Sequence, residues 1–489
     1  MSAQTENAPD TAETSSKDAK KIHILGLGAI GKLVAHSFRN IPDPPPVTLL
    51  AHRWRLYRAW TSARRKVITI EQDGYRLNAS GFDMEYAPTP KRVFGVETDD
   101  PRSIFDSEEG LKPHEAAQRY KERQATPRKQ GLDEQLIDQV KQDVDESRSD
   151  ETNVEATQSG LAEDQNDLAE PGDEFTGQSD EPIYHLILSV KAPRTLSALS
   201  SVKHRLRPES TVCILQNGMG TLDYIKKEVF PDPATRPNFI LGIVTHGANT
   251  PKGSSTFFAV HAGHGTIALG VQQREEASSA DGGEQTEMAP STRHLMRTLT
   301  RTPVLAAVGL PQSEFLQQQL EKLAQNAVIN PLTVLIDARN GSILYNFHYT
   351  RVMRLILGEI SLVVRNLPEL RGLPNVATRF SPERLETLVV GIANKTSQNI
   401  SSMLSDVRNG VNTEINFING YIYRRGLEVG VQCVTNYMMM QLVQGKNNMI
   451  KKEMEDEVPM ARVNQGTGER AVNPDTSRDY REGENADLQ

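Results

Sequence analysis

The chain has 489 residues, 37% of them hydrophobic, and a formal net charge of −8. That length allows two or three domains, and the low apolar share leaves room for long polar segments that bury no core. The negative balance excludes a general nucleic-acid binder, which needs a basic surface for phosphates.

Residues 1–20 are polar and acidic and read as a disordered tail. They lack the apolar core of a signal peptide and the arginines of a transit peptide, and no apolar run approaches the ~18–20 residues that span a bilayer. The expectation is a cytoplasmic protein with no membrane partner and no nucleic-acid partner. Two cysteines, Cys213 and Cys433, are too few for a disulfide framework or a zinc site of their own.

The first ordered signal is a short strand, Lys21 to Leu25, followed by Gly26-Leu27-Gly28-Ala29-Ile30-Gly31 and a helix from Lys32 to Arg39. A proline-rich turn leads to a second strand, Val47 to Ala51. A G-x-G-x-x-G turn between strand and helix suits a dinucleotide. The first glycine permits the bend, the second lets a pyrophosphate approach the backbone, and the third lets helix pack on strand. At the end of the second strand stand His52, Arg53, Trp54 and Arg55, with Arg58 nearby and no acid. An acid there would bind ribose hydroxyls, whereas arginine suits a 2′-phosphate, so the expected cofactor is NADPH/NADP.

From 98 to 179 the chain turns charged and polar with few aromatics, and reads as a disordered acidic insertion. Order returns with apolar runs typical of buried parallel strands at Ile183 to Val190, Thr211 to Leu215 and Phe239 to Val244. Phe257 to Val260 and Thr266 to Leu269 read as a closing hairpin. Helical periodicity then covers Glu314 to Asn330, Tyr349 to Arg365, Pro382 to Leu404 and Glu414 to Glu428. The expected fold is an α/β Rossmann-type N-terminal domain (21–97 and 180–275) followed by an all-α C-terminal domain (295–450), with a disordered tail over 451–489.

Five stretches in this order resemble the ketopantoate reductase (2-dehydropantoate 2-reductase) family. They are the glycine turn, Ser189-Val190-Lys191-Ala192, Gln216-Asn217-Gly218-Met219-Gly220, the continuous run Lys322 to Thr333, and Asn399-Ile400-Ser401-Ser402-Met403 running on to Thr413-Glu414-Ile415. The resemblance implies NADPH-dependent reduction of a 2-ketoacid, 2-dehydropantoate, on the way to pantothenate and coenzyme A. It implies Lys322 as the catalytic lysine. Asn326, Asn330 and Asn340 would line the substrate pocket, Ser402 would meet the substrate carboxylate, and Glu414 would complete the polar site. Gly26 to Gly31, Arg53, Lys191 and Asn217 would hold the cofactor side. The chain departs from the family at Leu320, where a tryptophan is usual, and in the insertion and tail, which suggest a eukaryotic, fungal form.

An ammonium beside a ketone oxygen can stabilise the charge that hydride transfer creates and deliver the proton. The blander alternative is that Lys322, Asn326 and Asn330, spaced by four, form a solvated helix face. Two other functions stay open at this stage, a reductase of another 2-ketoacid and a non-catalytic dinucleotide-binding regulator or scaffold. His246, His261 and His264 form a loose cluster, for which core hydrogen bonding is expected rather than a metal. The expected partners are the small-molecule substrate, a second copy in a homodimer, and an unidentified protein on the insertion.

Overall fold

The computed structural model describes residues 20–88, 92–93, 96–97, 177–274 and 288–456. The tails and the insertion read from composition fall largely outside these residues. Six parallel strands form the body of the main sheet, in the order β5 (Phe82–Tyr86), β2 (Val47–Ala51), β1 (Ile22–Leu25), β8 (Ile183–Leu188), β9 (Leu206–Ile214), β10 (Asn238–Val244). β13 (Ile267–Val271) joins β10 antiparallel, and β14 (Ala307–Gly309) closes the edge beside it. Covered on both faces, β1 and β2 are buried at every position, which is why they read as unbroken apolar runs. The chain leaves the sheet after β5 and returns near it, since the Tyr86 backbone N–H donates to Gly177 O at 2.8 Å. A two-stranded piece, β6 (Arg92–Val93) and β7 (Val96–Glu97), lies between these points.

A second sheet, in the order β11 (Gly247–Asn249), β12 (Phe258–Gly263), β3 (Val67–Gln72), β4 (Tyr75–Ser80), packs over helix α1 (Ala29–Arg39). The expected hairpin of Phe257–Val260 with Thr266–Leu269 does not form. The first segment pairs with β3 in the small sheet and the second with β10 in the large one. The burial patterns give the reason. β12 alternates between buried and partly exposed and suits a sheet with one covered face, whereas Ile267, Ala268, Leu269 and Gly270 are all buried.

Short helices α2 (Trp54–Thr61) and α3 (Thr195–Ser200) follow β2 and β8. Helix α4 (Pro290–Thr300), absent from the sequence reading, packs against β9 and β14. The helical layer therefore starts after β14, near residue 311, and not at 295. It contains α5 (Gln312–Ile336), α6 (Phe347–Asn366), α7 (Pro382–Lys395), α8 (Ser402–Arg408), α9 (Asn419–Val429) and α10 (Val434–Asp456). The single helix expected over 382–404 is two, α7 and α8, separated by a turn in which Ser401 caps α8. The helix expected over 414–428 opens with a 3-10 turn at Ile415–Phe417, and α10 runs into what read as tail. No helix among the described residues is long and apolar enough to cross a membrane.

Helix α5 continues through Pro331, where the sequence reading stopped it. Proline has no N–H to give the carbonyl four residues back, which is that of Ala327. Asn419 Nδ2 supplies the missing donor to Ala327 O at 2.9 Å and also reaches Asn436 Oδ1 at 3.0 Å. Asn436 Nδ2 in turn donates to Glu359 Oε2 at 2.7 Å. Asn419 and Asn436 are fully buried, so this chain of amides satisfies groups that water cannot reach. Arg379 fixes the other end of α5 through Glu314 at 2.8 Å and Glu321 at 3.0 Å.

Replacing Asn419 by Ala leaves the Ala327 carbonyl buried without a donor, at an expected cost of about 1–3 kcal/mol. Urea unfolding of the Asn419→Ala variant measures it. Unchanged stability would show that α5 tolerates Pro331 without the amide.

Candidate active site

The C-terminal ends of the parallel strands meet the helical layer in a cleft. At the end of β1, Gly26 has φ +107°, and a Cβ there would fall 2.6 Å from Val190 N. A Cβ at Gly31 would fall 1.9 Å from Gly26 O. The fold itself therefore demands these two glycines. Gly28 differs, with φ −69° and nothing within 4 Å of an added Cβ. The open space lies at the N-terminus of α1, where backbone N–H groups suit an anion, so the turn fits a pyrophosphate. Leu27, Ala29 and Ile30 pack their side chains on the sheet's core. Ser189 Oγ donates to Gly26 O at 2.7 Å and braces the turn.

At the end of β2 the Arg53 side chain is exposed. His52 beside it is pulled down to about 4 by burial, then by the charges of Arg53 and Arg194. Two guanidinium groups thus flank this end of the crevice. Arg194, in the turn after β8, was not singled out from the sequence.

The polar centre is assembled from six segments that are distant in sequence. Lys322, on α5, donates to Asn217 Oδ1 at 2.8 Å and to Val244 O at 2.6 Å. Asn217 Nδ2 donates to Glu414 Oε2 at 3.4 Å. Lysine only donates and a carboxylate only accepts, so the orientation of the amide between them is set by chemistry. Glu414 is buried and its other oxygen accepts from Ala192 N at 3.1 Å. Lys191 Nζ lies 3.8 Å from Glu414 Oε2 and 2.8 Å from Asp406 Oδ2.

Burial pulls the Lys322 ammonium down to about 8, and Glu414 opposes it. For Lys191 burial also acts downward, but Glu414 and Asp406 outweigh it and the net direction is up. Burial pushes Asp406 up to about 6 against the pull of Lys191. The two lysines of one cleft are thus separated electrostatically. One is held as a cation, and the other can release its proton near neutrality.

Asn326 and Asn330 follow Lys322 at one-turn intervals on α5, the first half-buried and the second buried. Asn340 stands apart, its Nδ2 bonded to Thr396 Oγ1 at 3.0 Å and its Oδ1 buried without a partner. Ser402 is exposed at the first position of α8, one turn before Asp406 and on the same face. Asp406 is a site residue that sequence reasoning missed, and its i+4 spacing from Ser402 was the available signal. Leu320 is buried in the helical core. Of the three histidines, His246 bonds His261 at 3.1 Å and Leu305 O at 3.0 Å, and His264 reaches Asp73 at 3.4 Å.

Residues 128–274 match the family description "Ketopantoate reductase PanE/ApbA", and residues 314–447 match "Ketopantoate reductase PanE/ApbA C terminal", together more than half of the chain. The chain belongs to the ketopantoate reductase family. The first match begins inside the segment read as an insertion and does not include the glycine turn. A Schizosaccharomyces pombe protein named "Probable 2-dehydropantoate 2-reductase" is 26% identical over 269 residues, 54% of this chain and 75% of that relative. The Yersinia pestis 2-dehydropantoate 2-reductase is 28% identical over 267 residues, 54% of this chain and 74% of the relative. A PanE/ApbA family ketopantoate reductase structure from Ralstonia eutropha has a TM-score of 0.53 at 16% identity, covering 88% of this chain and 99% of that one. A D-mandelate dehydrogenase structure with NADH and anilino(oxo)acetate has a TM-score of 0.51 at 15% identity, covering 88% and 99%. Both structures share the fold, a Rossmann-type α/β domain joined to a helical one.

The two kinds of glycine separate in experiment. Gly31→Ala is expected to lower the melting temperature, because the new methyl overlaps a backbone carbonyl. Gly28→Ala is expected to leave melting unchanged and weaken dinucleotide binding in a fluorescence titration. Equal effects of the two variants on both readouts would contradict the assignment.

Proposed function

We propose that the protein is an NADPH-dependent reductase of 2-dehydropantoate, forming pantoate in the pathway to pantothenate and coenzyme A. The carrying observation is the Asn217 amide, which links Lys322 to Glu414 between the sheet and the helical layer. The family's named relatives support the substrate. The complex of D-mandelate dehydrogenase with NADH supports a nicotinamide dinucleotide, and Arg53 with Arg194 beside β2 supports its phosphorylated form. In this reading residues 21–97 and 180–275 carry the dinucleotide and the helical layer carries the substrate. A nicotinamide cofactor supplies the hydride.

The chain's own residues do the rest. Lys322 uses two N–H groups on Asn217 and Val244 O, which leaves its third for a substrate carbonyl oxygen. That N–H stabilises the charge that grows on the oxygen and gives up its proton as the alcohol forms. Val244 O and Asn217 aim the ammonium. Glu414, held by Ala192 N, accepts from a hydroxyl of the substrate. Ser402 meets the substrate carboxylate, with Lys191 held nearby by Asp406, one turn along α8 from Ser402, and Asn326 and Asn330 line the pocket, while Asn340 is engaged with Thr396.

Oxidation of NADPH by the purified protein with 2-dehydropantoate, compared with other 2-ketoacids, tests the function. Turnover confined to another ketoacid would reassign the substrate, and none at all would remove the enzyme reading. Lys322→Ala should lower kcat by roughly 100-fold or more with NADPH affinity retained. The acid must be protonated to donate, so kcat/KM for reduction should be level below about pH 8 and fall above it. A profile that rises through that range would overturn the role of Lys322. Arg53→Ala should raise the KM for NADPH by roughly tenfold or more, the worth of a charged hydrogen bond, and leave that for NADH unchanged.

A further inference from the structure

The turn that carries Asn217 has two sides, and only one faces the polar centre. On the other lies a cavity of about 460 Å³ that reaches from the sheet to the helical layer. Its floor is Leu241 and Gly242 of β10, and its walls are the first two turns of α5, the turn after β9, and Tyr421 and Arg425 of α9. Gln216 and Gly218 line it, whereas Asn217 between them and Lys322, one turn beyond the lining Gln319, do not. The volume falls within the roughly 300–1,000 Å³ of small-molecule sites, and Leu222, Phe315 and Leu316 give it apolar walls.

The charges of this cavity are unbalanced. Arg425 is already engaged by Glu369 at 2.8 Å and by Glu428 at 2.7 Å. Asp223, also in the lining, is a third carboxylate, and it is open to solvent. Lys226 and Arg425 act on it through space without a hydrogen bond to it, and surrounding protein pushes its carboxyl above the usual carboxylate range. Carboxylates outnumber cations here, Lys226 included, which disfavours an anionic ligand and favours a cationic one. Gln216 points the same way. Its Nε2 donates to Val190 O at 2.8 Å and to Thr195 Oγ1 at 2.6 Å, and its Oε1 is buried without a donor. A free carboxylate and an unsatisfied amide oxygen both accept from N–H groups.

We propose that this cavity binds a small organic cation, an ammonium on an apolar body, with Asp223 receiving the ammonium and the leucine and phenylalanine walls taking the body. A ligand seated there rests on the turn that positions Asn217 and on the helix that carries Lys322. Its binding therefore restrains both members of that pair from behind, without entering the cleft. The site goes beyond the reductase reading, and its test uses no substrate, so failure of either leaves the other standing.

Calorimetric titration of the full chain with phenethylamine should give a dissociation constant below about 1 mM. Phenethyl alcohol and 3-phenylpropionate share the body and lack the cation, and should bind roughly tenfold more weakly or less. Asp223→Asn should weaken phenethylamine by a similar factor and leave the alcohol unchanged. Ser313→Trp, which places an indole in the lining, should abolish binding of both, and melting temperatures should confirm that the two variants fold. Affinity for the amine should fall as the pH is lowered, because a protonated Asp223 no longer attracts it. Bound phenethylamine should slow amide hydrogen exchange across residues 216–221. No binding at about 10 mM, or equal affinity for amine, alcohol and acid, would overturn the proposal. So would binding that survives both substitutions, that leaves exchange at 216–221 unchanged, or that competes with NADPH and thus lies in the main cleft.

Discussion

The site depends on one side-chain amide. Asn217 projects from the turn after β9 and is the shared partner of a lysine from α5 and a glutamate from the turn before α9. Because one end accepts and the other donates, the amide holds an ammonium and a carboxylate apart at a defined spacing. Direct contact would neutralise both. Main chain sets its position. Met219 N donates to Phe417 O at 2.8 Å, and Gly218, at φ +82°, lies so close to Phe417 that a Cβ would fall 2.5 Å from its carbonyl oxygen. The turn that carries Asn217 is thereby fastened to the segment that follows Glu414.

Burial then gives similar residues different chemistry. Lys191 and Lys322 face the same carboxylate, yet Lys191 has a second one in Asp406, whereas Lys322 has an amide and a carbonyl, which bring no charge. Desolvation lowers both ammonium groups, and only Lys191 has enough negative charge nearby to reverse it. A proton donor and a fixed cation are produced by one cleft from one residue type. The amide chain from Ala327 O to Glu359 serves this division at a distance, since it gives a donor to the carbonyl that Pro331 leaves open and α5 continues past it.

The Rossmann-type half was largely legible in the sequence, because a parallel sheet buried on both faces writes itself as unbroken apolar runs and its phosphate turn needs glycines at set positions. Long helices were legible by period, though their ends were not. Pro331 read as a stop because its missing N–H is a local fact, whereas the Asn419 donor that makes the helix tolerable comes from 92 residues away. The supposed hairpin failed for a similar reason. Strand propensity says that Phe258–Gly263 and Ile267–Val271 are extended, but their partners are decided by which sheet has a matching covered face.

The sequence by itself determined the residue types of the site, their order along the chain and the family they resemble, since those are properties of short motifs. Tertiary structure alone decided that Lys322 meets Asn217 across 105 positions, that Asp406 belongs with Lys191, and that only one of the two lysines is displaced toward neutrality. Desolvation and charge proximity are set by what surrounds a group in space, and neither varies with distance along the chain.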